Sequence, residues 1–164
     1  MCTTLEVGRG EFDFSAAHTG LHDGEFESLH GHTFLVTLRL SGELDTEGML
    51  IDFSKVKAAL RTVIAPLHRR TLMPGRAPEV RIMRADDNLS IAVGDKTYLL
   101  PTDDVVVLPL VNTTTEAIAR YLLDQVLAYL PGERLTAVEL EVSEAPDKSA
   151  IARIDLTMVK HEIL

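Results

Sequence analysis

Two alternating segments, each carrying histidine on its apolar face, constrain this chain more than any other feature. His18 has the same parity as three apolar residues of segment 12–16, and His30 and His32 have the same parity as four apolar residues of segment 34–40. Because successive side chains of a strand point to opposite faces, both sets lie on a buried sheet face. Three imidazoles at neighbouring strand ends leave a fourth coordination position open, as in catalytic zinc sites. The sequence therefore predicts a zinc site at His18, His30 and His32.

Hydrogen-bonded core histidines are the alternative. Each buried neutral imidazole must satisfy one donor and one acceptor, which is harder for three rings on matched faces than for one. This favours a metal. Iron, nickel and copper also accept imidazole, so the prediction of zinc is weaker than that of metal binding.

Composition excludes several classes of protein. The length of 164 residues fits a single domain spanning 1–164, and the net charge of −9 with no basic stripe argues against nucleic-acid binding. Cys2 is the only cysteine, so neither a disulfide framework nor a thiolate metal site is expected. The apolar runs are too short to span a membrane and the N-terminus lacks the features of a signal peptide, so the expected location is the cytoplasm.

The patterns of the chain predict an α+β fold, with two helices on one face of an antiparallel four-stranded sheet. The predicted strands are 5–18, 32–42, 135–144 and 151–159. One helix begins near Ser54 as N-cap and stops or kinks at Pro66. The other opens with a capping box at Thr113 and Glu116 and runs through Leu130. Residues 74–108 contain short strand-like runs and are predicted to be an inserted hairpin, too short to hold a core of its own.

Two carboxylates are candidates for chemistry. Glu27 precedes His30 by three residues, and an acid beside a bound metal can serve as general base, although an isolated loop glutamate is usually solvated. Glu144 has the parity of the apolar face at the end of its strand, where a carboxylate needs a partner. That partner is either the planar donor edge of a ligand or a neighbouring arginine.

Five segments in order resemble the 6-pyruvoyl-tetrahydropterin synthase / 6-carboxy-tetrahydropterin synthase family. They are Phe14-Ser15-Ala16-Ala17-His18, Leu29-His30-Gly31-His32-Thr33-Phe34, Gly48-Met49-Leu50-Ile51-Asp52-Phe53, Asn112-Thr113-Thr114-Thr115-Glu116 and Val142-Ser143-Glu144-Ala145-Pro146.

The resemblance implies the tunnelling fold, in which strands of several subunits form a barrel, as a homotrimer or homohexamer with active sites between subunits. It also implies zinc at the three histidines, a pterin held by Glu144 with Thr114 and Thr115, and 7,8-dihydroneopterin triphosphate as the family substrate. A small-molecule pterin is therefore the expected partner.

Two departures from the family pattern shift the expected activity. The family's catalytic cysteine before His-Gly-His is absent, and Glu27 gives Glu-x-x-His-Gly-His, which resembles the subgroup that cleaves the pterin side chain. The family's Asp-His pair after the first helix is replaced by His68 and Arg69, so His68 is a possible acid or relay. We therefore expect a zinc-dependent lyase acting on 7,8-dihydroneopterin or its triphosphate, by side-chain elimination or carbon–carbon cleavage. Glu27 would be the general base, with His68 and Glu144 also in the catalytic site.

Three alternatives stay open from the sequence. The chain could be a 6-pyruvoyl- or 6-carboxy-tetrahydropterin synthase proper, or a homologue that binds metal and pterin without the chemistry. It could also be a three-histidine metalloenzyme with an unrelated substrate, although only a pterin-like ligand explains a carboxylate at the position of Glu144.

Overall fold

The computed structural model describes residues 1–8 and 10–156. The strands are β1 (Thr3–Val7), β2 (Asp13–His18), β3 (Leu21–His22), β4 (Glu25–Phe26), β5 (His30–Gly42), β6 (Arg70–Pro74), β7 (Val80–Ala85), β8 (Asn88–Val93), β9 (Lys96–Pro101), β10 (Val105–Leu108), β11 (Leu135–Ala145) and β12 (Lys148–Asp155). The helices are α1 (Phe53–Ile64) and α2 (Thr115–Leu127), with short 3-10 turns at Ala65–Leu67 and Thr102–Asp104.

The long strand β5 organises the main sheet. It pairs antiparallel with β1 and β2 along one edge and with β11 along the other, and β12 continues outside β11. Both helices pack on one face, where their buried residues meet those of β5 and β11 in one core. The predicted α+β architecture with an antiparallel centre is confirmed.

Two additional strands make the sheet larger than predicted. β6 pairs parallel with β2, and β10 pairs parallel with β6, so the sheet has seven strands in the order β10-β6-β2-β5-β11-β12, with β1 beside β5. The prediction of one continuous strand over 5–18 is wrong, because the chain breaks between β1 and β2. At Gly8, with φ of 142°, a Cβ would lie 2.5 Å from the Val36 carbonyl oxygen, and Glu11 N–H closes a turn onto the Gly8 carbonyl.

Both predicted helix starts are displaced. Asp52, not Ser54, is the N-cap of α1, and its carboxylate accepts from the Ser54 N–H at 2.7 Å. Thr114, not Thr113, caps α2 by accepting from the Ala117 N–H. Helix α1 ends before Pro66 as predicted, whereas α2 ends at Leu127 rather than at Leu130.

The inserted segment is a three-stranded antiparallel sheet of β7, β8 and β9 rather than a hairpin. It shares a small apolar cluster with the rest of the chain: Met73 belongs to β6, Ile91 and Val93 belong to β8, and all three are fully or nearly fully buried. Its boundaries are also narrower than 74–108, since residues 105–108 form β10 of the main sheet.

The last strand begins at Lys148 instead of Ile151, and its predicted end at Val159 lies outside the described residues. Within the described part of the chain, neither helix has the length and apolar character that a membrane crossing needs.

Candidate metal and ligand site

The register of β2 and β5 brings the three predicted histidines together. His18 is directly opposite His30, and His32 lies two residues further along β5 on the same face. The centroid of the His18 ring is 4.6 Å from that of His30 and 5.3 Å from that of His32. The centroids of the His30 and His32 rings are 5.0 Å apart. One nitrogen from each ring lies within 4.8 Å of the others. The strand ends therefore gather three imidazole nitrogens around one point.

Backbone carbonyls orient two of these rings. His18 Nδ1 lies 2.8 Å from the Thr113 carbonyl oxygen and His30 Nδ1 lies 2.8 Å from that of Ser28. Because a carbonyl oxygen only accepts, each Nδ1 donates, and the lone pair of the neutral ring is on Nε2. Ligating histidines in metal sites are commonly fixed in this way.

The environment of His18 fits a metal ligand. Its Nε2 is buried with no hydrogen-bond partner within the described structure, although buried polar atoms are almost always paired. Burial, together with the nearby His30 and His32, lowers the pKa of His18, against the opposing effects of the Thr113 hydrogen bond and Glu144. A neutral ring with an unpaired lone pair is the form that binds a divalent metal, so the donor set fits the zinc ion that the sequence resemblance implies.

The histidines line one wall of a cavity of about 330 Å³. This volume is at the lower end of the range for small-molecule sites. The other lining residues are Gly20, Leu21, His22, Glu27, Thr114, Thr115, Glu116, Glu144 and Lys148. Four of the predicted non-metal site residues, Glu27, Thr114, Thr115 and Glu144, therefore share this cavity with the histidines.

Glu27 follows the two-stranded β3–β4 ribbon and approaches the cavity from the side of Gly20. Its N–H donates to the Gly20 carbonyl at 2.9 Å, and its own carbonyl accepts from the Thr19 hydroxyl at 2.7 Å. A Cβ on Gly20 would lie 3.0 Å from Glu27 Oε2, so the absence of a side chain at Gly20 leaves room for this carboxylate.

Glu144 is the penultimate residue of β11, where the pairing with β12 is irregular between Ser143 and Ala145, and its Oε2 accepts from the Thr115 hydroxyl at 2.7 Å. Thr115 is the first residue of α2, so the carboxylate lies beside a helix N-terminus, where negative charge is stabilised. The sequence suggested either a ligand or an arginine as the partner of Glu144. Among the described residues, no arginine forms an ion pair with it.

His68 is the one predicted site residue that the fold places elsewhere. It lines a separate depression with Phe12 and Arg61, and its Nδ1 accepts from the Ser15 N–H at 3.3 Å. Within one chain, the structure does not bring His68 to the three histidines. Arg69, with φ of 57°, and Arg70 line a further, more open depression of about 570 Å³ that includes His32.

Asn112 and Thr113 support the site through hydrogen bonds to segment 19–21, and the sequence predicted only a helix-capping role for Thr113 and none for Asn112. Asn112 exchanges two hydrogen bonds of 2.9 Å with the backbone of Leu21, and the hydroxyl of the buried Thr113 donates to the Thr19 carbonyl at 2.9 Å. The run of polar residues before α2 was visible as part of the family resemblance, but these contacts join segments about 90 residues apart and only the fold shows them.

This chain is similar to known proteins over most of its length. The model of the 6-pyruvoyl tetrahydropterin synthase family matches residues 8–155. A putative 6-carboxy-5,6,7,8-tetrahydropterin synthase of Methanocaldococcus jannaschii is 26% identical over 85% of this chain and 88% of its own length.

Two further relatives bear on the chemistry. A Plasmodium vivax 6-pyruvoyltetrahydropterin synthase, solved as an alanine variant of a catalytic glutamate, is 29% identical with a TM-score of 0.89, covering 94% of this chain and 99% of that one. A dihydroneopterin monophosphate aldolase of Pyrococcus furiosus is 39% identical over 36% of this chain and 50% of its own length.

Proposed function

The chain belongs to the 6-pyruvoyl tetrahydropterin synthase family, and on that premise we propose that it is a zinc-dependent lyase that cleaves the side chain of 7,8-dihydroneopterin or a phosphate ester of it. The observation that carries this proposal is the meeting of Glu27, Glu144 and the three histidines in one cavity. The only cysteine, Cys2, is exposed beside Thr136, so Glu27 is the candidate base in this cavity.

His18, His30 and His32 would hold the metal. Bound zinc supplies Lewis-acid polarisation of substrate oxygens. The protein supports this role through the Thr113 and Ser28 carbonyls, which keep Nε2 of His18 and His30 free of protons.

Glu144 would orient the substrate. One of its oxygens accepts from Thr115, and the carboxylate retains lone pairs for the N–H donors of a pterin ring. A carboxylate that accepts two parallel hydrogen bonds recognises such a planar donor edge strongly and with defined orientation. Thr114 and Thr115 line the adjoining wall.

Glu27 would accept a proton from a hydroxyl of the substrate side chain. In carbon–carbon cleavage, loss of the C2′ hydroxyl proton forms a carbonyl as the C1′–C2′ bond breaks. The electron pair moves from that bond into the C6=N5 imine of the ring. Return of the proton to C1′ gives 6-hydroxymethyl-7,8-dihydropterin and an aldehyde. The Plasmodium vivax relative, in which a glutamate is described as catalytic, supports a carboxylate in this role.

A synthase reaction that yields 6-carboxy-tetrahydropterin is the second candidate. The supporting observation is that the similarity to the Methanocaldococcus jannaschii protein extends over 85% of the chain, whereas the aldolase similarity extends over 36%. The absence of any cysteine other than Cys2 favours the cleavage reaction instead.

We further propose a homotrimer or homohexamer. Strand β12 lies at one edge of the sheet with Ile151 exposed, and unpaired edges are normally covered or paired in native proteins. In such an oligomer, His68 of one subunit would contribute to the active site of a neighbouring subunit. The role of His68 as acid or relay stays a prediction.

Product identification tests the proposal. Zinc-loaded protein is incubated with 7,8-dihydroneopterin, its monophosphate and its triphosphate, and products are identified by mass spectrometry, with Glu27→Gln as control. We expect 6-hydroxymethyl-7,8-dihydropterin with a two-carbon aldehyde or its phosphate. A 6-carboxy product would support the second candidate, and no turnover of any of the three would refute lyase function.

A further inference from the structure

The inserted sheet contacts the segment that carries Glu27. Phe26 and Leu29, on either side of Glu27 and Ser28, pack against the cluster of Met73, Ile91 and Val93. The Glu27 side chain itself lines the metal cavity. Segment 26–29 therefore lies between the cavity and the inserted sheet.

One charged side chain of the inserted sheet forms a hydrogen bond with segment 26–29. Lys96, the half-buried first residue of β9, donates from Nζ to the Phe26 carbonyl oxygen at 2.9 Å. No ion pair of Lys96 with a carboxylate occurs in the part of the chain that the structure describes. A hydrogen bond from a charged, partly buried ammonium to a main-chain carbonyl is stronger than one from a neutral donor, so it fixes that peptide group more firmly.

The opposite side of the segment is fixed as well. The N–H of Glu27 donates to Gly20 and its carbonyl accepts from Thr19. With Lys96 on the preceding carbonyl, three consecutive polar groups of the backbone around Glu27 are bound. The carboxylate thus extends from a backbone held from two directions.

We propose that the three-stranded inserted sheet is a platform that positions Glu27 for catalysis, with Lys96 as the positioning residue. This rests on the proposed role of Glu27 as general base. A base must stay within hydrogen-bond reach of the proton it removes, and misplacement by about 1 Å can cost about 100-fold in rate. The apolar contacts of Phe26 and Leu29 hold the segment against the platform, and the Lys96 hydrogen bond fixes the Phe26 carbonyl directly before Glu27.

The test compares Lys96→Met, which removes the donor, with Lys96→Arg, which keeps one. Lys55→Met is the matched control, because Lys55 is exposed on α1, away from the inserted sheet, and the charge change is the same. We expect Lys96→Met to lower kcat by about tenfold or more, with KM and zinc content unchanged. Lys96→Arg should retain most of the wild-type kcat, and Lys55→Met should match the wild type.

Hydrogen exchange of the backbone amides gives a readout that does not need turnover. In Lys96→Met, the amide of Glu27, which donates to the Gly20 carbonyl, should exchange faster, while those of β5 should not change. Unchanged exchange at the Glu27 amide would overturn the platform, whether or not the wild type is an active lyase. Unchanged kcat in an active protein, or a loss confined to KM or zinc content, would also overturn it.

Discussion

Replacing Glu144 with glutamine tests most directly whether this carboxylate binds the pterin ring. The variant keeps the shape of the side chain and one acceptor oxygen, but the charge is lost and an amide donor replaces an oxygen. Glu144 is half-buried and already accepts from Thr115 at 2.7 Å, so the hydroxyl can still be satisfied by the amide oxygen. The amide N–H₂ then meets the N–H donors of the pterin.

The structure supports an estimate of the loss. A hydrogen bond to a charged group contributes about 1.5–3 kcal/mol, and leaving a donor unsatisfied costs about 1–3 kcal/mol. Because these contributions overlap, we expect a loss of about 2–4 kcal/mol in binding free energy, which raises Kd about 30- to 700-fold. Thr115→Val removes only the supporting hydroxyl and should raise Kd by about tenfold at most.

The assay is calorimetric titration of zinc-loaded protein with 7,8-dihydroneopterin, with Glu27→Gln present in every protein compared so that the pterin is bound but not cleaved. Glu116→Gln is the matched control, because Glu116 lines the same cavity and the change removes the same charge. If affinity changed less than about threefold in Glu144→Gln, or fell equally in Glu116→Gln, the carboxylate would not be the specific partner of the pterin ring.

Three further predictions concern the metal, the base and the assembly. The wild type should contain one zinc per chain by elemental analysis, and His30→Ala/His32→Ala should contain none, since a single remaining imidazole does not hold zinc; full occupancy in that variant would disprove the site. Glu27→Gln should retain zinc and pterin affinity while kcat falls about 10²- to 10⁴-fold, the usual contribution of a positioned general base; undiminished turnover would assign the base elsewhere. Light scattering at micromolar concentration should return three or six chains, and a stable monomer would contradict a site shared between subunits.

The predicted antiparallel centre of the sheet and the predicted clustering of the three histidines both follow from side-chain parity. His18, His30 and His32 had to share a face if β2 and β5 were strands. These inferences need only the alternation of a strand, which holds wherever one face is buried.

The sequence was least informative where backbone conformation or distant contacts decide. The break after β1 depends on close contact of Gly8 with Val36, which no alternation pattern contains. Ser54 and Thr113 were both plausible caps, and the fold used Asp52 and Thr114 instead. The parallel pairing of β6 could not be foreseen either, because Arg70 and Thr71 resemble the end of a loop rather than a strand of the main sheet.

The hydrogen bond from His18 to Thr113 has a consequence for the order of folding. It joins residues 95 positions apart, so the β2–β5 pair can bring the three rings together before the second half of the chain has docked. Only when the segment before α2 arrives does His18 acquire the carbonyl that selects its tautomer. Contacts of such sequence separation close slowly, since loop closure must precede them. Metal affinity is therefore coupled to the docking of the segment before α2, and a change that displaced this segment would weaken metal binding without altering any of the three histidines.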